Sequence, residues 1–171
     1  MNEEHPLVQL ARESINAFVR RRETVDPPDT LVEAFDQPGG AFVSLHACGQ
    51  LRGCIGTIAA TQANVVEEVI HNAISAATRD PRFSPVLPDE LGELEISVDL
   101  LGAPEAIDSV DELDPVTYGV IVQHGTRRGL LLPNLEGIDT AEEQVAIALR
   151  KAWIDPKEGY QLYRFRVDRY H

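Results

Sequence analysis

The clearest alternation of apolar and polar positions lies in residues 93–101. Leu94, Ile96, Val98 and Leu100 point one way, and Glu95, Ser97 and Asp99 the other. A period of two predicts a β-strand with one buried and one exposed face, as in an antiparallel sheet. Residues 42–58, FVSLHACGQLRGCIGTI, read as two strands joined by a tight turn near Cys48-Gly49. Two more strands are expected at 119–122 and 129–132, with His124-Gly125-Thr126-Arg127-Arg128 as the hairpin loop and Pro133 as the stop. Residues 160–170 alternate again, with Tyr163, Phe165 and Val167 on one face and Arg164, Arg166 and Asp168 on the other.

Helical spacing occupies the intervals. Pro6 suits a first turn, and Leu7, Leu10, Ala11, Ile15 and Phe18 make one apolar face. Arg20-Arg21-Arg22 favours the C-terminal end of that helix. Thr61 is the expected cap of a second helix reaching about Arg79, with Val66, Val69, Ile70, Ala73, Ile74 and Ala77 as its buried stripe. Ser109 to Glu112 and Thr140 to Glu143 are capping boxes, the second opening a helix that ends near Trp153. Prolines and glycines at 25–29 and 37–40 break the chain between elements. Hairpins outnumber strand–helix–strand units, so the class is α+β: a mainly antiparallel β-sheet packed by helices.

A length of 171 residues fits one domain, 1–171, able to bury about 70% of its unfolded surface. A net charge of −13 removes the basic face that a nucleic-acid binder needs. No apolar run approaches the ~20 residues of a membrane span, and the acidic start MNEEH does not fit a signal peptide. A cytoplasmic location, with no nucleic-acid and no membrane partner, is expected. Cys48 and Cys54 are the two cysteines, placed over ~10 Å apart by the strand rise of about 3.3 Å per residue, beyond disulfide reach.

Candidate chemistry concentrates in Leu51-Arg52-Gly53-Cys54-Ile55-Gly56, a charge, a thiol and two glycines in an apolar strand. Alternation puts Arg52, Cys54 and Gly56 on one face, with Arg52 about 6.6 Å from Cys54 along the strand, where it can lower the thiol pKa. A turn of two or four residues places Val43 opposite Cys54, and an apolar neighbour favours burial and a raised pKa. The two tendencies oppose each other. Gly53 and Gly56 leave backbone open to a ligand or to a packed helix. Asp80, Arg82 and Phe83 lie on a proline-stiffened loop, either presenting function or clamping a turn. A cysteine nucleophile needs a base, for which His46, His71 and His124 are candidates. The five histidines are scattered, so no metal site is expected, and with neither a P-loop, a GxGxxG fingerprint nor a three-cysteine cluster in the chain no cofactor is expected.

The hexapeptide, followed by DPRFSPV and then GVIVQHGTRRGLLLP, closely resembles the AMMECR domain family, and the ending LYRFRV is similar to its prokaryotic branch, the AmmeMemoRadiSam system protein A type. The likeness runs from about Leu7 to the C-terminus and departs after Pro133, where Asn134-Leu135 stands in place of a Gln-Val pair. It implies an antiparallel α+β fold with a larger and a smaller lobe and a cleft between them. It also implies partnership with a Memo-like protein and a radical S-adenosylmethionine protein. The family signature falls on residues 51–56 and 80–83. One reading is an enzyme-like component acting on a small molecule or protein, with Cys54 as nucleophile or carrier. In it Arg52 and Arg82 bind an anionic group and Asp80 orients an arginine. The alternative is a non-catalytic binding or scaffold module for the same partners.

Overall fold

Proline at the first turn and an acceptor just upstream start the first helix, α1 (Pro6–Arg21): the imidazole of His5 accepts the amide of Leu7 at 3.2 Å. The computed structural model, which describes residues 3–171, continues with α2 (Asp29–Ala34), β1 (Ala41–Ala47), β2 (Gln50–Gly56), α3 (Val65–Thr78), β3 (Glu95–Leu101), β4 (Glu105–Ile107), β5 (Gly119–His124), β6 (Arg127–Leu131), α4 (Ala141–Ala152), β7 (Gln161–Phe165) and β8 (Val167–Tyr170). The strands form two four-stranded sheets, ordered β2-β1-β3-β8 and β4-β7-β5-β6. The pairings β1–β2, β1–β3, β4–β7, β5–β6 and β5–β7 are all antiparallel. The expected α+β class is therefore observed.

The chain divides into two compact units, one running up to Leu101 and including Asp168–His171, the other Gly102–Val167. In the first, α1 and α3 cover the sheet face that carries Val43, Leu45, Ile96 and Val98. Leu7, Val8, Val66, Val69 and Ala73 are fully buried there. Each fully buried Leu, Ile or Val contributes about 1.5–3 kcal/mol relative to exposure. In the second unit, α4 lays Val145, Ala148, Leu149 and Ala152 against Val120, Val122, Leu131 and Leu162.

Several expectations change. Thr61 does not cap α3; the Asn64 side chain accepts the Glu67 amide at 2.9 Å and starts the helix one turn later. Thr61 instead donates to the buried Glu68 carboxylate at 2.6 Å. The hairpin loop at 124–128 is a turn of Gly125-Thr126 only, and Gly125 supplies the positive φ of 60°. Residues 160–170 are two strands belonging to different sheets, broken at Arg166. Residues 161–165 pair with β4 and β5 while β8 joins β3, so the alternating stretch changes sheet at Arg166. The short α2 and β4 had no periodicity long enough to announce them.

Candidate functional site

The turn at Cys48-Gly49 has φ of 51° and 74°, the pair of positive values that a two-residue hairpin turn takes. From it the register runs Ala47 with Gln50 and His46 with Leu51, then shifts by one: Leu45 pairs with Gly53, Ser44 with Cys54, Val43 with Ile55. Arg52 is the extra residue of a β-bulge. The bulge corrects the expected register: Cys54 lies opposite Ser44, not Val43. It also removes Arg52 from the simple alternation with Cys54 and Gly56.

Gly53 and Gly56 are both fitted to the protein's own atoms. A Cβ at Gly53 would strike the Ala76 carbonyl of α3, and one at Gly56 would strike the ring of Phe42, its cross-strand partner. Helix α3 can lie close on β2 because position 53 has no side chain. The second unit repeats the device, with Gly129 under the Ala148 carbonyl of α4 and Gly119 under the ring of its partner Phe165.

β2 is the outer strand of its sheet. The two motifs meet on that edge. Cys54 N–H donates to Asp80 Oδ2 at 2.9 Å, and Arg82 Nη2 donates to the Cys54 carbonyl at 3.3 Å. Arg82 also grips Asp80 through Nε at 3.0 Å and Nη2 at 2.7 Å, while its own amide donates to Oδ1 at 3.1 Å. The Asp80 side chain is 1% exposed and that of Arg82 is 56% exposed. The hydrogen bonds from Arg82 hold the Asp80 carboxyl far below the usual carboxylate range, with the Cys54 and Arg82 amides adding to them against the opposing effect of burial. Phe83 follows on the same turn, its amide on the Asp80 carbonyl at 3.1 Å and its ring 5.5 Å from the Arg82 guanidinium carbon.

Arg52 makes a second tie. Its Nε and Nη2 donate to the two oxygens of Glu90 at 2.9 and 3.1 Å, and Nη1 and Nη2 reach the carbonyls of Ser84 and Pro85 at 2.9 and 3.4 Å. Bidentate pairing of this kind fixes orientation as well as charge. The segment from Asp80 to Glu90 is thus fastened to β2 at two points.

The Cys54 sulfur lies 3.2 Å from Ser44 Oγ. Burial pushes the thiol pKa up; the Ser44 hydrogen bond and the Arg82 charge pull it down, while Asp99 and Asp80 push it up, and the net direction is upward. Arg52 is not among those influences. Among the described residues no histidine is hydrogen-bonded to the thiol. His46 lies across from Leu51 and Glu95, His71 is exposed, and His124 is held by the Gly159 carbonyl. Both cysteines are free. Among the described residues no three His, Cys, Asp or Glu side chains are grouped so as to hold a metal ion.

Ser44, Asp99 and Arg169 were not picked out from the sequence. Asp99, expected on an exposed face, is 2% exposed and takes Arg169 Nε and Nη2 at 2.7 and 3.0 Å. Its burial follows from β8 flanking β3 and bringing that guanidinium over it. The polar half of an alternating strand was the available signal, but nothing in it names a partner 70 residues away.

Comparison with known proteins places these features in a family. The AMMECR1 family pattern matches residues 8–170. A protein from Thermotoga maritima is 49% identical over 170 residues, covering 98% of each chain. One from Clostridium acetobutylicum is 50% identical over 170 residues; the match covers 98% of this chain but 36% of that longer protein. The crystal structure of an uncharacterized protein from Pyrococcus horikoshii superposes with a TM-score of 0.88 at 32% identity, covering 95% of this chain and 88% of that one.

Proposed function

The chain belongs to the AMMECR1 family, and from that premise we propose that it is a binding component of a modification system, working beside a Memo-like protein and a radical S-adenosylmethionine protein in the cytoplasm. The surface it offers is the Asp80–Phe83 turn set on the Arg52–Gly56 strand, within a single domain spanning 1–171. One observation carries the reading: the charged groups of both motifs are spent on partners within the protein. Arg52 is held by Glu90 and two carbonyls, and Arg82 by Asp80 and the Cys54 carbonyl. Such a pattern stiffens a surface for recognition, since preorganised groups lose less freedom on binding.

Pull-down of the purified chain with each of the two partner proteins tests it. Retention by the natural chain and by Cys54→Ser, with loss on Arg82→Ala, is the expected result. Turnover by the isolated protein with no complex detected would reject it.

A catalytic Cys54 is the second reading. It is favoured by a free thiol beside the Ser44 hydroxyl and within the electrostatic influence of Arg82. Cys54 would then serve as nucleophile or covalent carrier, and Cys54→Ala would abolish activity of the reconstituted three-protein system. Full activity of that variant would remove the reading.

A further inference from the structure

The end of α4 presents an apolar side chain that folding does not account for. Trp153, the chain's one tryptophan, is 86% exposed, while Ala152 and Ile154 on either side of it are buried. It closes the helix in the left-handed region, at φ 57° and ψ 38°. Its amide donates to the Arg150 carbonyl at 3.2 Å, and the Ile154 amide to the Leu149 carbonyl at 3.0 Å. Glycine is the usual residue of such a cap, because a β-carbon is strained there. A lone exposed apolar residue is ordinary on a protein surface. One that is also held in a conformation suited to glycine adds a backbone cost to its exposure and gains little from packing. Its use therefore lies outside the fold.

The surroundings of Trp153 carry a charge opposite to that of the molecule. The chain is −13 overall, yet residues 150–157 hold Arg150, Lys151 and Lys157, the last two being both lysines of the chain, against Asp155 alone. Arg127 joins them from β6, its Nη1 donating to the Trp153 carbonyl at 2.6 Å and its Nη2 to Glu158 at 2.8 Å. The Glu158 carboxylate also accepts the Asp155 amide at 2.9 Å, and the Asp155 carboxylate accepts the Lys157 amide at 2.8 Å. Both acids are thus turned to the protein's own donors. The turn after the helix is fixed before any partner arrives, which lowers the entropy lost on binding.

We infer that Trp153, with Arg127, Arg150, Lys151 and Lys157 around it, is a docking site for an acidic segment of a partner protein, one that sets an apolar side chain on the indole between carboxylates. Charge complementarity selects this occupant. At ~0.15 M salt the Debye length is about 8 Å, so a short segment on the patch meets these cations and little of the acidic remainder. A nucleic-acid duplex or an anionic bilayer extends past the patch and meets the repulsion of the whole molecule. The indole supplies the anchor, since a large rigid ring gives contact area at small entropic cost. The patch stands in the second unit and shares no residue with the Asp80–Phe83 turn of the first, so its test is independent of that turn's role.

As the one tryptophan, Trp153 is its own reporter. At ~0.15 M ionic strength its fluorescence in the natural protein is quenched more strongly by iodide than by caesium, each taken relative to free N-acetyltryptophanamide. Equal quenching, or the opposite order, would show that the acidic remainder governs the indole and would overturn the inference. A synthetic peptide of Asp and Glu interrupted by leucine shifts the emission to the blue and binds about tenfold or more tightly than its counterpart with Lys in place of the acids. Arg150→Glu combined with Lys157→Glu weakens that binding about tenfold or more. Trp153→Gly, followed by the anisotropy of a labelled peptide, abolishes it, while the thermal midpoint is unchanged or raised because glycine suits the cap. A lowered midpoint would make Trp153 a structural residue and overturn the inference. Failure of the acidic peptide to bind, binding that survives either variant, or an equal blue shift with phosphatidylserine vesicles or single-stranded DNA would overturn it too.

Discussion

Cys54 faces a hydroxyl because one residue, Arg52, is inserted in β2 ahead of it. Burial, the largest influence on the thiol, raises its pKa from 9.0, so the protein carries it protonated at neutral pH. The rate of alkylation by iodoacetamide is expected to reach half its limit above pH 9.0, and Ser44→Ala to move that midpoint higher, because the Ser44 hydrogen bond lowers the pKa. A midpoint near neutrality would contradict this. Asp80 behaves in the opposite sense. Its folded pKa lies below the unfolded value of about 3.9, so its contribution to stability is complete above that pH and is lost as pH falls below it. Asp80→Asn is expected to cost about 1–3 kcal/mol at pH 7 and to flatten the loss of stability between pH ~5 and ~2. Urea unfolding across that range measures it; natural and variant curves running parallel would show that Asp80 carries no such linkage. The thiol and the acid were both visible in the sequence. The form of their joining was not, since Asp80 meets Cys54 through a backbone amide, and any residue has one.

At the scale of elements, each unit sets a helix on a strand through a glycine. Gly53→Ala drives a methyl group into the Ala76 carbonyl, and the overpacking is expected to cost about 1–3 kcal/mol. Thermal unfolding reads this directly, and an unchanged midpoint would show that α3 yields without cost. The start of α3 is fixed by a second device. Glu68, fully buried, accepts from Thr57 Oγ1 at 2.6 Å, from Thr61 N and Oγ1 at 2.9 and 2.6 Å, and from Gln62 N at 2.9 Å. Burial raises its pKa, but the four hydrogen bonds outweigh burial and the net shift is downward. Glu68→Ala removes the one oxygen that accepts both the Thr61 and Gln62 amides and is expected to cost about 1–3 kcal/mol, with faster amide exchange at Thr61 and Gln62. Exchange unchanged at both would refute the tie. The helix itself was legible from its apolar stripe. Its cap was not: Thr61 and Asn64 are both good capping residues, and Glu68 decided between them by taking Thr61.

Across the whole molecule, a charge of −13 leaves carboxylates repelling one another, and few of the ion pairs lie out of water. Screening is therefore expected to stabilise the fold, raising the thermal midpoint between about 0.01 and 0.15 M salt as the Debye length falls from ~30 to ~8 Å. A midpoint that falls with salt would show that attractive pairs dominate. Duplex DNA is expected to show no salt-dependent affinity for the natural protein. No helix of the described residues is long and apolar enough to cross a membrane. Two cores, one under α1 and α3 and one under α4, take the place of a single sheet packed by helices. The chain passes between them at Gly102 and again between Val167 and Asp168, and the second passage hid inside an alternating stretch that read as continuous.

Sequence alone determined the class of fold, the hairpin with its turn at Cys48-Gly49, and the motif residues, because periodicity, turn chemistry and an anomalous Arg-Gly-Cys strand are local properties. Tertiary structure decided what those residues face. The bulge at Arg52 turned Cys54 toward Ser44, the end of α3 delivered Asp80 and Arg82 to the open edge of β2, and β8 brought Arg169 to Asp99. Each outcome depends on which backbone groups a strand leaves unpaired and on which distant segment satisfies them. The requirement is physical and universal, but its fulfilment is fixed only when the whole chain has packed.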